Sequence, residues 1–157
     1  MTTNSETVLK PVDIFFKPRA ILCDHCQKNL LERLQGMIIS ITKKGVSPFD
    51  ESIHPIYKNI HFSCKGECER KLLKADSDNG LADAGWDDFG DYTNPAYYFR
   101  KLMAFINGIK KGKYENNCIE KMQLFFAAMF PYIAREMTDE EKERTEILLS
   151  IGPVIGL

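Results

Sequence analysis

The stretch Ile60-His61-Phe62-Ser63-Cys64-Lys65-Gly66-Glu67-Cys68-Glu69-Arg70-Lys71-Leu72-Leu73-Lys74 decides how this chain reads. Its first four residues alternate as a half-buried strand does. From Cys64 the pattern becomes helical, and the C-x3-C spacing of Cys64 and Cys68 is one helical turn, which sets both sulfurs on one face. Thiolates at a helix N-terminus are favoured by the dipole and by free amides. Upstream, Ala20-Ile21-Leu22 runs into a second pair, Cys23-Asp24-His25-Cys26, as a strand enters a turn. A C-x2-C turn aims two sulfurs at one point while its backbone amides stabilise their negative charge.

Two close pairs separated by a long insertion supply four soft donors for a single ion. Zinc takes such donors at the corners of a tetrahedron, with Zn–S distances of about 2.3 Å. Cys23, Cys26, Cys64 and Cys68 are therefore the expected ligands of one structural zinc. Four thiolates leave no open position for water, which argues against catalysis at the metal. Knuckle, then hairpin, then a strand leading into a helix with the last two ligands resembles the treble-clef group of zinc fingers, over about residues 19–75. The resemblance implies a small zinc-stabilised α+β module, and such modules often bind DNA or RNA. The insertion departs from the compact members: Gln27 to Asn59 must hold a helix, strands and a loop of its own.

Other uses of the cysteines are weaker. A disulfide framework needs an oxidising compartment, and the odd fifth cysteine, Cys118, counts against a closed set. Cys-Asp-His-Cys is similar to the Cys-x-His-Cys of thiol oxidases, but a redox site needs no second pair and no βαβ context is evident. Iron–sulfur clusters use other spacings. Among the histidines, His61 precedes Cys64 by three and is a possible substitute ligand; His25 lies inside the knuckle, where side chains tend to point away from the metal. Cys118 falls in an apolar helical stripe and reads as a buried thiol.

The bulk composition bounds the function classes. The chain has 157 residues, 44% hydrophobic and 27% charged, with 21 Lys+Arg against 22 Asp+Glu. That is a globular composition without the basic surplus that phosphate neutralisation demands of nucleic-acid binders. The first twenty residues interleave charges with apolar positions, so a secretory signal is not expected, nor is a membrane span. A reducing, cytoplasmic setting is the expectation.

The rest divides into a polar start at 1–10, a zinc-binding module at 11–75, an acidic loop at 76–92 and a helical segment at 93–157. Val12 to Phe16 reads as a short strand. Leu30, Leu31 and Leu34 suggest a short helix ending at Gly36, and Met37 to Thr42 a strand. In the acidic segment, Asp76-x-Asp78-x-Gly80 opens like a calcium loop, but position six is Leu81 and the reading fails there. Thr93-Asn94-Pro95 starts one helix, a second begins near Glu115, and Thr138-Asp139-Glu140-Glu141 is a capping box for a third, to about Ser150.

No nucleophile elbow, phosphate-cradling loop or zinc-protease motif is present. His54, Asn59 and His61 supply the residue types of a histidine–asparagine–histidine nuclease, at too short a spacing. The expectation is a non-enzymatic protein-binding module, of the inhibitor or immunity-protein kind, with a basic target. Asp83, Trp86, Asp87, Asp88, Phe89 and Asp91 are its expected contact residues, since aromatics among carboxylates suit a basic partner. The alternative is a nucleic-acid-binding zinc finger using Lys43-Lys44, Lys65, Arg70-Lys71-Lys74 and Lys110-Lys111-Lys113.

Overall fold

The computed structural model describes residues 20–134, 138–141 and 143–144. The expected strand at 12–16 and most of the third C-terminal helix lie outside them. Within them the fold is α+β: a three-stranded antiparallel sheet followed by a C-terminal helical segment.

The chain enters through the Cys23–Cys26 turn, which an isolated bridge between Leu22 and Asn29 closes at its base. Residues 30–34 then form turns, not the expected helix. Gln27 and Leu34 take positive φ of 66° and 52°, which interrupts any helical run. The Asn29 side chain instead accepts the amides of Ile21 and Leu31. Leu30 and Leu31 are nonetheless buried as their pattern required.

Strand β1 (Gly36–Lys43) and strand β2 (Tyr57–Cys64) form a hairpin with Ile39 opposite His61 and Ile38 opposite Phe62. Residues 46–56 make the long connection. Helix α1 (Glu67–Asp78) leaves the end of β2 directly. The acidic segment 76–92, expected as a loop, is instead mostly ordered secondary structure. After the last turn of α1, Gly80 at φ 77° reverses the chain, and strand β3 (Leu81–Asp88) pairs with β1. Its alternation was hidden by the run of aspartates. The sheet order is β2-β1-β3, so the sheet extends past the expected boundary at residue 75.

A 3-10 turn (Phe89–Thr93) leads to helix α2 (Pro95–Lys110). Asn94 caps that helix by accepting the amides of Ala96 and Tyr97, with Pro95 at its first position. Gly112, at φ 70°, turns the chain towards helix α3 (Asn116–Ala134). Beyond it, residues 139–141 and 143–144 are helical. Thr138 and Glu141 make the reciprocal bonds of a capping box there.

Both faces of β1 are covered. On one, Met37, Ile39 and Ile41 pack with Leu73 of α1 and Leu81. On the other, Ile38, Ile60 and Phe62 join an aromatic core with α2 and α3 that also takes in Ile21, Cys23, Leu30 and Leu31. Phe125 is its centre, with ring centroids 4.8 Å from Tyr92, 4.9 Å from Phe89 and 5.9 Å from Phe62. Cys118 is buried, its thiol against the Tyr57 carbonyl, as its stripe implied.

Phe125→Ala leaves a cavity that this core cannot close, and should cost about 3–5 kcal/mol. Phe49, 86% exposed in the 46–56 connection, is the matched control: Phe49→Ala should change stability by less than about 0.5 kcal/mol. Urea denaturation of the two variants checks both; similar losses would contradict this account of the core.

Candidate metal centre and acidic edge

Cys23 and Cys26 stand on the turn, Cys64 at the end of β2 and Cys68 in the first turn of α1. The fold gathers their four sulfurs to within 4.8 Å of one another. Cys26 Sγ lies 3.6 Å from Cys64 Sγ, against about 3.8 Å between corners of a tetrahedron with zinc–thiolate bond lengths. The backbone amides of Cys26 and Cys64 donate to Cys23 Sγ at 3.5 and 3.4 Å. Cys23 is buried and Cys26 exposed, with Cys64 and Cys68 between these extremes.

The electrostatics of the cluster call for a cation. Burial alone would raise the Cys23 thiol, but the amides of Cys26, Cys64 and His25 outweigh it and bring it down to about 6. Cys64 and Cys68 move the other way. Cys64 is pushed up to about 12 by burial and by the neighbouring sulfurs of Cys26 and Cys23, and Cys68 is raised by the same causes. One thiolate thus suppresses the next until a positive ion sits among them. Four such donors at these separations suit one structural zinc.

His61 does not join this cluster. It is buried on the α1 face of the sheet, its Nδ1 3.1 Å from Asp24 Oδ2 and its Nε2 2.7 Å from Asp76 Oδ2. Asp24 lies inside the Cys23–Cys26 turn, and Asp76 lies in α1. Asp24 also donates its amide to the Phe62 carbonyl at 2.8 Å and accepts the Phe62 amide at 3.2 Å. The histidine therefore clasps the first ligand pair to the helix that follows the second. Burial works against its charged form, yet the hydrogen bonds and charges of Asp24 and Asp76 outweigh that and raise its pKa above the ordinary 6.5. Sequence reasoning missed this clasp, although strand alternation does place His61 opposite Ile39 on the α1 face. Asn59, another of the residues considered for a nuclease site, accepts from Asn117 and Lys121.

The six expected contact residues separate into two groups. Phe89 is fully buried against Phe62 and Phe125, so it belongs to the core and not to a surface. Asp87 accepts from the phenols of Tyr97 at 2.9 Å and Tyr92 at 3.1 Å, with Lys101 Nζ at 3.3 Å. Burial and Asp87 push the Tyr97 phenol up to about 12, which keeps it a donor. Asp88 pairs with Lys65. These two carboxylates anchor β3 to α2 and to the β2–α1 junction. Asp83, Trp86 and Asp91 remain outward, and Trp86 is 58% exposed. A single run of aspartates gave no signal by which to tell anchors from free charges.

Comparison with protein-family models, curated proteins and solved structures finds no match to this chain. No helix among the described residues is long and apolar enough to cross a membrane.

The clasp has a definite pH signature. A histidine whose folded pKa is raised adds stability in full below its unfolded value near 6.5 and loses it as pH rises through the folded value. His61→Gln should therefore cost on the order of 2 kcal/mol at pH 6, and distinctly less at pH 9. Urea midpoints of both chains across that range decide it, and a pH-independent difference would refute a charged clasp.

Proposed function

We propose that this chain is a non-catalytic protein-binding module of treble-clef type, stabilised by one zinc on Cys23, Cys26, Cys64 and Cys68. Its target is a protein with a basic surface, which suits an inhibitor or immunity-type role in a reducing, cytoplasmic setting. The observation that carries this reading is the outer side of β3, where the 58%-exposed Trp86 shares a face with Asp83, whose carboxylate has no partner among the described residues. A large exposed aromatic among uncompensated charges is unfavourable in water and suits a cationic, partly apolar counterpart. A fully thiolate-ligated metal supports the non-catalytic part, because it keeps no position for substrate or water.

One observation favours a second reading, a nucleic-acid-binding zinc finger. A cleft of about 380 Å³ beside Cys64 is lined by Lys28, Arg33 and Lys65, with Asn29 and Gln35. Its cations are few, and Lys65 is already paired with Asp88, so this reading ranks second.

The test uses the purified full chain. Elemental mass spectrometry should find about one zinc per chain, and a chelator or Cys68→Ser should lower the melting temperature. Affinity capture should then recover a basic protein with the native chain but not with the Asp83→Asn/Trp86→Ala chain. Undiminished capture by that variant would remove the β3 surface. A salt-dependent shift of a labelled oligonucleotide, lost on Arg33→Ala, would instead establish the second reading.

A further inference from the structure

The two edges of the sheet are finished differently. Along β2, the outward backbone groups are largely engaged. Phe62 exchanges bonds with Asp24, the Ile60 carbonyl takes Lys121 Nζ at 2.7 Å, and the Lys58 carbonyl takes Asn117 Nδ2 at 3.3 Å. Tyr57 pairs with the Lys113 carbonyl and the Glu115 amide.

This pattern fixes which way every other strand residue points. Even-numbered residues of β2 from 58 to 62 face outward, so the odd residues of β1 bond to β2, and its even residues turn to β3. Ile38 then bonds to Asp87 and Ser40 to Gly85. The outward backbone groups of β3 are consequently those of Trp86 and Asp88. The register shift at Ser40/Ile41 absorbs one extra residue, beyond which Asp83 points outward as well. Among the described residues, no group outside the sheet bonds to the amides or carbonyls of Asp83, Trp86 or Asp88.

We infer that β3 is a strand-addition site, which takes an extended basic segment of a protein partner as a fourth strand of the sheet. This rests on the reading of β3 as the partner-facing surface and specifies how it is used. Residues that share an outward backbone also share a face, so the added strand sets alternate side chains beside Asp83, Trp86 and Asp88. Because Asp88 is already paired with Lys65, the matching sequence is set by Asp83 and Trp86: a cation, any residue, then an apolar residue, with a further cation at the next alternate position tolerated. Backbone pairing supplies affinity, and the alternate side chains supply selection. Carboxylates on an edge also discourage aggregation, but an exposed tryptophan on the same face does the opposite, so protection alone does not account for the edge. A second copy is a poor occupant, because antiparallel β3–β3 pairing would set aspartates against aspartates.

The probe is a short capped peptide with the pattern Lys-Thr-Ile-Thr-Lys, compared with one of the same composition whose lysines are adjacent. The chain has one tryptophan, so its fluorescence reports directly on the edge. The patterned peptide should blue-shift Trp86 emission and slow hydrogen exchange at the amides of Asp83, Trp86 and Asp88. It should bind about tenfold more tightly than the control, and Asp83→Lys should remove that preference. Equal binding of both peptides, or binding of neither, overturns strand addition. So does protection of these amides in the isolated chain: concentration-dependent protection would assign the edge to a second copy, and concentration-independent protection to the chain itself. Partner capture that depends on Asp83 and Trp86 without added amide protection would keep the surface and reject the pairing.

Discussion

Four sulfurs drawn from two pairs 38 residues apart must meet within 4.8 Å, and each repels the next once ionised. The hairpin register makes that meeting a local event. β2 ends at Cys64 directly opposite Gly36, the first residue of β1. A slip of one residue would turn Cys64 and His61, which point to opposite faces, each to the wrong face. At Gly36 a side chain would meet Leu30 at 2.9 Å and Phe89 at 3.0 Å, so even the backbone here approaches its neighbours closely. The amides of Cys26 and Cys64 then fix Cys23 as the first thiolate, and a cation bound among the sulfurs would stabilise the rest.

The clasp explains why this centre does not depend on the metal alone for its geometry. Asp24 holds the turn to β2 through two backbone bonds and meets His61, which reaches Asp76 in α1. Lys121 of α3 stands 4.0 Å from the same Asp24 carboxylate. Knuckle, sheet, α1 and α3 therefore share one polar network beside the sulfurs. Such networks are stabilising when fully satisfied and costly when one member is lost. The aromatic core performs the same joining on the opposite face, since Cys23 and Phe125 belong to one buried cluster.

Much of this was legible in the residues. Cysteine spacing picked out the four sulfurs that the fold gathers, a β-branched run gave β1, alternation at Ile60–Ser63 gave the end of β2, and Asn94-Pro95 gave the start of α2, because each signal is local. Two kinds of feature were not. β3 was hidden because its sequence, Leu-Ala-Asp-Ala-Gly-Trp-Asp-Asp, owes its extended form to pairing with β1 and to Gly80 and Gly85 at positive φ, not to its own propensity. The roles of Asp24, Asp76, Asp87 and Asp88 were hidden because a carboxylate looks the same in sequence whether it faces water or a histidine, phenol or lysine. Leu30 to Leu34 marks the opposite error. Its apolar spacing was real and two of its leucines are buried, but left-handed residues made turns of it.

The same Asp24 that helps build the metal centre also closes the β2 edge, because its bonds to Phe62 occupy the positions a further strand would use. α3 completes the closure through Lys121 and Asn117. Pairing capacity in the sheet is thereby directed to one side. On that side the anchoring of Asp87 to α2 and of Asp88 to Lys65 leaves β3 held from within, while Asp83 and Trp86 stay outward. A net charge of -1 thus conceals an arrangement rather than a balance: Asp76, Asp87 and Asp88 meet His61, Lys101 and Lys65, while Asp83 stays outward on the strand that carries the exposed Trp86. A rigid strand with its polar backbone open and a sparse, fixed set of side chains is better suited to selecting a partner by register than by bulk charge.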